Sequence, residues 1–237
     1  MGDSSESKYG VFIIESMDTI DESNEKLDGR SLKTILDLCD IPNQYRYIRT
    51  KLEFEKIIEE FENSSYRFLH LSCHADNEGI QLTYEDIDFD ELDLICGHAL
   101  YHRRLFLSAC KVAVFELAEH FIPKYHCFSV IGFPDEIDLD KAAIFWSSFY
   151  YLMYSIDAKQ MVQIDILPTL LKVSETFNVN LNYFSIINDS NKKSLDHLNH
   201  FTISAGRKSN EIRKTRFKNQ YRLDDSNWDF SNETERS

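Results

Sequence analysis

Glycine and proline are scarce, at 7 and 4 residues in a chain of 237. A nucleotide-binding sheet needs glycine after its first strand, so that backbone amides can approach phosphate. The segment IIESMDT that follows the first apolar run has none. Positive charge is scarce too: 26 Lys and Arg stand against 40 Asp and Glu, a formal net charge of −14. Such a body repels phosphate, so no nucleic acid or anionic membrane is expected as a partner, except through the basic C-terminal segment. The five cysteines, at 39, 73, 96, 110 and 127, form neither a CxxC pair nor a disulfide framework. That pattern suits a reducing compartment, and with no zinc spacing in view no metal or cofactor is expected. Long apolar runs are missing, and MGDSSES lacks the apolar stretch of a signal peptide. A soluble, cytoplasmic protein is expected.

What is present is a regular alternation of short apolar runs and amphipathic stretches. Val11–Ile14, Tyr45–Ile48, Tyr66–Cys73, Leu105–Leu107, Phe128–Phe133 and Tyr183–Ile187 read as six strands. A short strand pair is expected around Ile80–Leu82. Between these runs, Leu32, Ile35, Leu36 and Cys39 have helical spacing, and Thr50 with Glu53 forms a capping box. Further helices are read over 114–121 and 167–177, with another capped by Asp140. Asp18 to Arg30 reads as a polar loop. Strands alternating with helices predict an α/β fold, with a mainly parallel sheet covered on both faces. Residues 1–9 read as a flexible N-terminus, 10–205 as one domain, and 206–237 as a basic, then acidic, solvated tail.

In an open parallel sheet, reactive groups gather beyond the carboxyl ends of the strands. His74 ends the third strand, in FLHLSCHAD, and Cys110 ends the fourth, in LFLSAC. Neighbouring strands lie ~4.8 Å apart, so the two side chains can meet at the rim of the sheet. Cys110 also stands just before a helix, whose N-terminal amides and dipole favour the thiolate. An imidazole beside it can take the thiol proton and return it to a leaving amine. The backbone N–H groups of Ala75 and Cys110 are candidate oxyanion donors. His70, Ser72 and His74 share one strand face, and Cys73 the other. His70 reads as a core residue or a support for His74. Cys39, Cys96 and Cys127 read as packing residues.

These two segments resemble the "strand, then His-Gly" and "strand, then Ala-Cys" motifs of the caspase-like cysteine peptidases. With VIGFPDEIDLDKAAIFWSSFYYLMY, the chain resembles CHAT domains specifically, through Asp135 and the Phe149-Tyr150 pair, over roughly residues 10 to 190. It departs from that pattern at Ala75, where the family has Gly, and at Phe133, the nearest residue to the family's Trp. The resemblance implies a three-layer sandwich with a six-stranded sheet in the order 2-1-3-4-5-6. It also implies a Cys110–His74 dyad acting on a protein or peptide substrate. Such enzymes are commonly switched by a regulatory protein partner, often in bacterial defence. The end of strand one and the loop after strand five would line the pocket for the residue before the scissile bond. Glu15 and Asp135 occupy those places, and a carboxylate there favours Arg or Lys. Two other readings stay open: a catalytically silent interaction module of the same shape, and a sensor of a nucleotide signal.

Overall fold

The apolar runs become the middle of one sheet, and the amphipathic stretches become the helices that cover it. The computed structural model describes residues 9–76, 78–109, 114–156, 161–186, 197–203 and 213–218. In chain order, β1 (Val11–Ser16) leads to α1 (Thr19–Ser23), α2 (Asp28–Leu38), β2 (Asn43–Tyr47), α3 (Lys51–Glu62) and β3 (Phe68–Ala75). A hairpin of β4 (Gly79–Gln81) and β5 (Asp86–Asp88) follows, then α4 (Phe89–Cys96), β6 (Arg104–Ser108), α5 (Val114–Tyr125) and β7 (Ser129–Gly132). The chain continues through α6 (Leu139–Ile156) and α7 (Gln163–Phe177) to β8 (Leu181–Ile186), β9 (His197–Ile203) and β10 (Arg213–Lys218).

The strand order is β10-β9-β8-β7-β6-β3-β1-β2, with the β4–β5 hairpin attached to β3. Pairing is parallel from β2 through β1, β3 and β6 to β7, and antiparallel from β7 through β8 and β9 to β10. The fold is thus α/β with a mostly parallel, mixed sheet. Six strands were too few: β9 and β10 extend the sheet beyond β8, and β10 lies inside the basic stretch that reads as a solvated tail.

Strand alternation sorts the core into two layers. Phe12 and Ile14 of β1 face α3 and α5, packing with Phe54, Phe61, Leu117 and Phe121. Val11 and Ile13 face α2 and α6, packing with Leu32, Leu36, Trp146 and Tyr150. All these side chains are buried, each worth roughly 1.5–3 kcal/mol of transfer free energy, so the sheet is held from both faces.

Local signals mostly act as expected. The Thr50–Glu53 capping box opens α3 with both reciprocal bonds formed. Asp140 is not the cap of α6. It lies in the first turn, and the Asp138 carbonyl accepts the first helical bond, from Ala142 N. The polar stretch from Asp18 to Arg30 is not a plain loop, since it holds α1 and the first turn of α2. Asp18 caps α1, accepting from the Ile20 and Asp21 amides at 2.8 and 2.7 Å. Among the described residues, no helix is long and apolar enough to cross a membrane.

Candidate functional site at the carboxyl ends of the central strands

His74 stands where β3 outruns its neighbour. The parallel pairing with β1 ends at Ser16 and Cys73, and the next two residues, His74 and Ala75, pair instead with Gln81 and Ile80 of the hairpin. The α1 turn closes over this end of the sheet. It brings the Asp21 carboxylate to the imidazole, with Oδ2 3.0 Å from His74 Nε2, and Asp18 Oδ2 lies 3.9 Å from the same nitrogen. A carboxylate can only accept, so this contact places a proton on Nε2 and leaves Nδ1 as the basic nitrogen. The side chain is about one-third exposed, at 29%, so solvent can reach it.

One layer deeper, two carboxylates are buried together. Glu15, Ser72 and Ser108 stand side by side on β1, β3 and β6. Asp28, the first residue of α2, accepts from the hydroxyls of both Ser72 and Ser108, the latter at 2.6 Å. The Glu15 carboxylate takes the Gly29 and Arg30 amides at 2.7 and 3.0 Å, together with the Tyr45 hydroxyl at 2.7 Å. Amides and dipole at the start of α2 therefore hold an acid that the strand presents. Gly29 is what permits this approach, because a Cβ there would lie 3.1 Å from the Glu15 carboxyl carbon. Burial, and then the charge of Asp28, raise the Glu15 pKa to about 8. Burial raises Asp28 as well. Two acids this close in a dry site cannot both ionise cheaply, so the pair retains a proton at neutral pH.

Of the other expected residues, Asp135 and Ala75 lie among the described ones. Asp135 is exposed, after β7, and accepts from Asn180 at 2.8 Å. It follows β7, a strand three steps from the β1 that carries Glu15, ~14 Å at ordinary strand spacing. Ala75 is half-buried on the hairpin side of the rim. Cys110, expected as nucleophile and as an amide donor, lies outside the described residues. The register does relate its place in the sequence to that of His74. Ser72 pairs with Ser108, and His74 and Cys110 each follow two residues later.

His70 belongs to the core. It is 1% exposed, bonds Tyr150 Oη through Nδ1 at 3.2 Å, and lies edge-on to Trp146. Burial lowers its pKa to about 3, so it stays neutral. Cys73 lies in the opposite core layer, with Cys96 and Cys127. Burial raises the pKa of the Cys127 thiol to about 12, and that of Cys96 as well, which makes them inert fillers.

Sequence reasoning passed over Asp18, Asp21 and Asp28. Asp18 carried a usable signal, since Asp before Thr-Ile-Asp-Glu is a normal helix N-cap. Nothing local marks Asp28, whose burial depends on serines 44 and 80 residues away. In comparisons with known proteins, no protein-family model matches the chain, and neither does any curated protein.

Proposed function

We propose that the chain is a cysteine endopeptidase of the CHAT, caspase-like type, with Cys110 as nucleophile and His74 as base. The carrying observation is His74 at the strand end, with Asp21 on Nε2. Nδ1 then takes the Cys110 thiol proton, and the thiolate attacks the scissile carbonyl. The N–H groups of Ala75 and Cys110 stabilise the resulting oxyanion. As the intermediate collapses, the C–N bond breaks and His74 returns the proton to the leaving amine. Water, deprotonated by the same imidazole, then hydrolyses the thioester and frees Cys110. Asp21 is a positioning residue, which fixes the tautomer and stabilises the imidazolium that forms.

Further support comes from topology. Counted among the strands read from sequence, β2-β1-β3-β6-β7-β8 runs 2-1-3-4-5-6. The Glu15–Asp28 pair, rather than Asp135, is the element that would select a basic residue before the scissile bond. Both acids are buried, at 0% and 3% exposure, so a basic side chain reaches them only after the residues that cover them move. That requirement fits a cytoplasmic enzyme switched on by a regulatory protein partner.

The test is labelling by an electrophilic peptide probe with Arg at its reactive end. Wild-type protein should be labelled, and Cys110→Ala and His74→Ala should not be. Labelling that persists in Cys110→Ala overturns the assignment. A wild-type chain that stays unlabelled with every partner tried is instead a silent module of the same shape.

A further inference from the structure

Asp18, Asp21 and His74 each offer one ligand atom, and all three atoms lie within 4.8 Å of one another. The cluster is built by tertiary structure, with two donors from α1 and one from β3, 53 residues along the chain. Two of the three separations are close to an edge of a coordination polyhedron. Ligands ~2.0 Å from a tetrahedral zinc ion stand ~3.3 Å from each other. His74 Nε2 lies 3.0 Å from Asp21 Oδ2 and 3.9 Å from Asp18 Oδ2, on either side of that edge length. The outer oxygens are already engaged. Asp18 Oδ1 accepts two α1 amides, and Asp21 Oδ1 is 3.8 Å from Lys26 Nζ. Such outer contacts orient a carboxylate toward a metal. One imidazole nitrogen with two carboxylate oxygens suits zinc better than calcium or magnesium, which prefer all-oxygen shells.

We propose that Asp18, Asp21 and His74 form a binding site for a divalent zinc-like cation, open to solvent or a further ligand at its fourth position. Occupancy changes the chemistry of His74. A metal on Nε2 displaces that proton, and the neutral ring then carries its hydrogen on Nδ1, where it can no longer accept one from a thiol. Zinc is therefore an inhibitor at this site, a consequence that rests on the peptidase reading. The binding itself does not.

The experiment is isothermal titration of the metal-free full chain with zinc, at a pH above the ordinary histidine range. Wild type should bind one equivalent at this site. Asp18→Asn keeps an acceptor for the α1 cap but loses the charge, and His74→Gln loses the nitrogen. Each should weaken binding at least about tenfold, the smallest loss expected even for an outer-shell change. Circular dichroism establishes that both variants are folded. Cobalt(II) in place of zinc should give visible d–d bands in wild type that are lost in His74→Gln. Absence of saturable zinc binding in wild type overturns the proposal, and so does undiminished binding in both variants. Those outcomes leave His74 held by its hydrogen bond to Asp21 alone. A chain that binds zinc but cleaves nothing counts against the peptidase and not against the site.

Discussion

Glu15 shows how one buried carboxyl can set a pH dependence for the whole molecule. Its pKa rises from an ordinary 4.5 to about 8, so between those values the native state holds a proton that the unfolded chain has released. Stability must then fall as pH rises through that window, by about 1.4 kcal/mol per pH unit per proton. Asp28, also raised, acts in the same direction. His70 does the opposite: lowered from 6.5 to about 3, it costs stability as pH falls across that interval. Urea unfolding should therefore show an alkaline loss of about 2 kcal/mol between pH 6.5 and 8, for a single proton. Glu15→Gln should flatten that limb and leave the acid limb in place. An unchanged alkaline limb would mean that the proton resides elsewhere. At the rim, Asp21→Asn keeps the size of the side chain and removes the charge that stabilises the imidazolium. Cleavage should slow by about 10²-fold or more, mostly in kcat. A loss confined to KM would mean that Asp21 binds substrate rather than positioning His74.

Elements explain why parts of the site were legible in the sequence and others were not. The alternation of β3 put His70, Ser72 and His74 on one face before any coordinates, because a strand repeats every two residues. The same reading placed Cys73 in the other layer, where it is found. Glu15 came from another source, the place at the end of strand one that the family resemblance gives to the substrate pocket. The segment from Asp18 to Arg30 was opaque for a physical reason. It is polar throughout, and α1 has no buried residue, so no apolar period announced a helix. Asp28 is buried by its fit against two distant serines, which no local pattern announces. The junction of β1 and α2 offers a direct test. At most helix positions Gly→Ala stabilises by up to about 1 kcal/mol. At Gly29 the new methyl would press on the Glu15 carboxyl and on Ile13 Cγ2, at 3.1 and 3.2 Å. Gly29→Ala should instead destabilise by about 1–3 kcal/mol, read as a lower urea midpoint with an unchanged m-value.

At the scale of the whole molecule, the sheet runs past the expected end of the domain at residue 205. The parallel half, β2 to β7, carries every residue assigned to the site. Among the described residues, none assigned to the site lies on the antiparallel strands β8 to β10. Tyr183 of β8 stacks on Phe201 of β9, with ring centroids 5.6 Å apart, and both are buried with Ile203. β10 then pairs with β9 over six residues, Arg213 to Lys218, and takes the outer edge of the sheet. A domain ending at residue 205 would leave β9 as that edge, with a row of unpaired backbone groups. Two shortened chains separate the possibilities, one ending at Lys218 and one at Ala205. If β10 contributes, the shorter chain melts lower by about 2–4 °C for each kcal/mol lost. The β9 amides that β10 covers should then exchange faster with deuterium, while those of β1, β3 and β6 stay protected. Probe labelling of Cys110 should be equal in the two chains, because β10 is at the far end of the sheet from His74. Equal melting and equal exchange would place the end of the folded unit at 205, and would make the basic segment an appendage rather than the last strand.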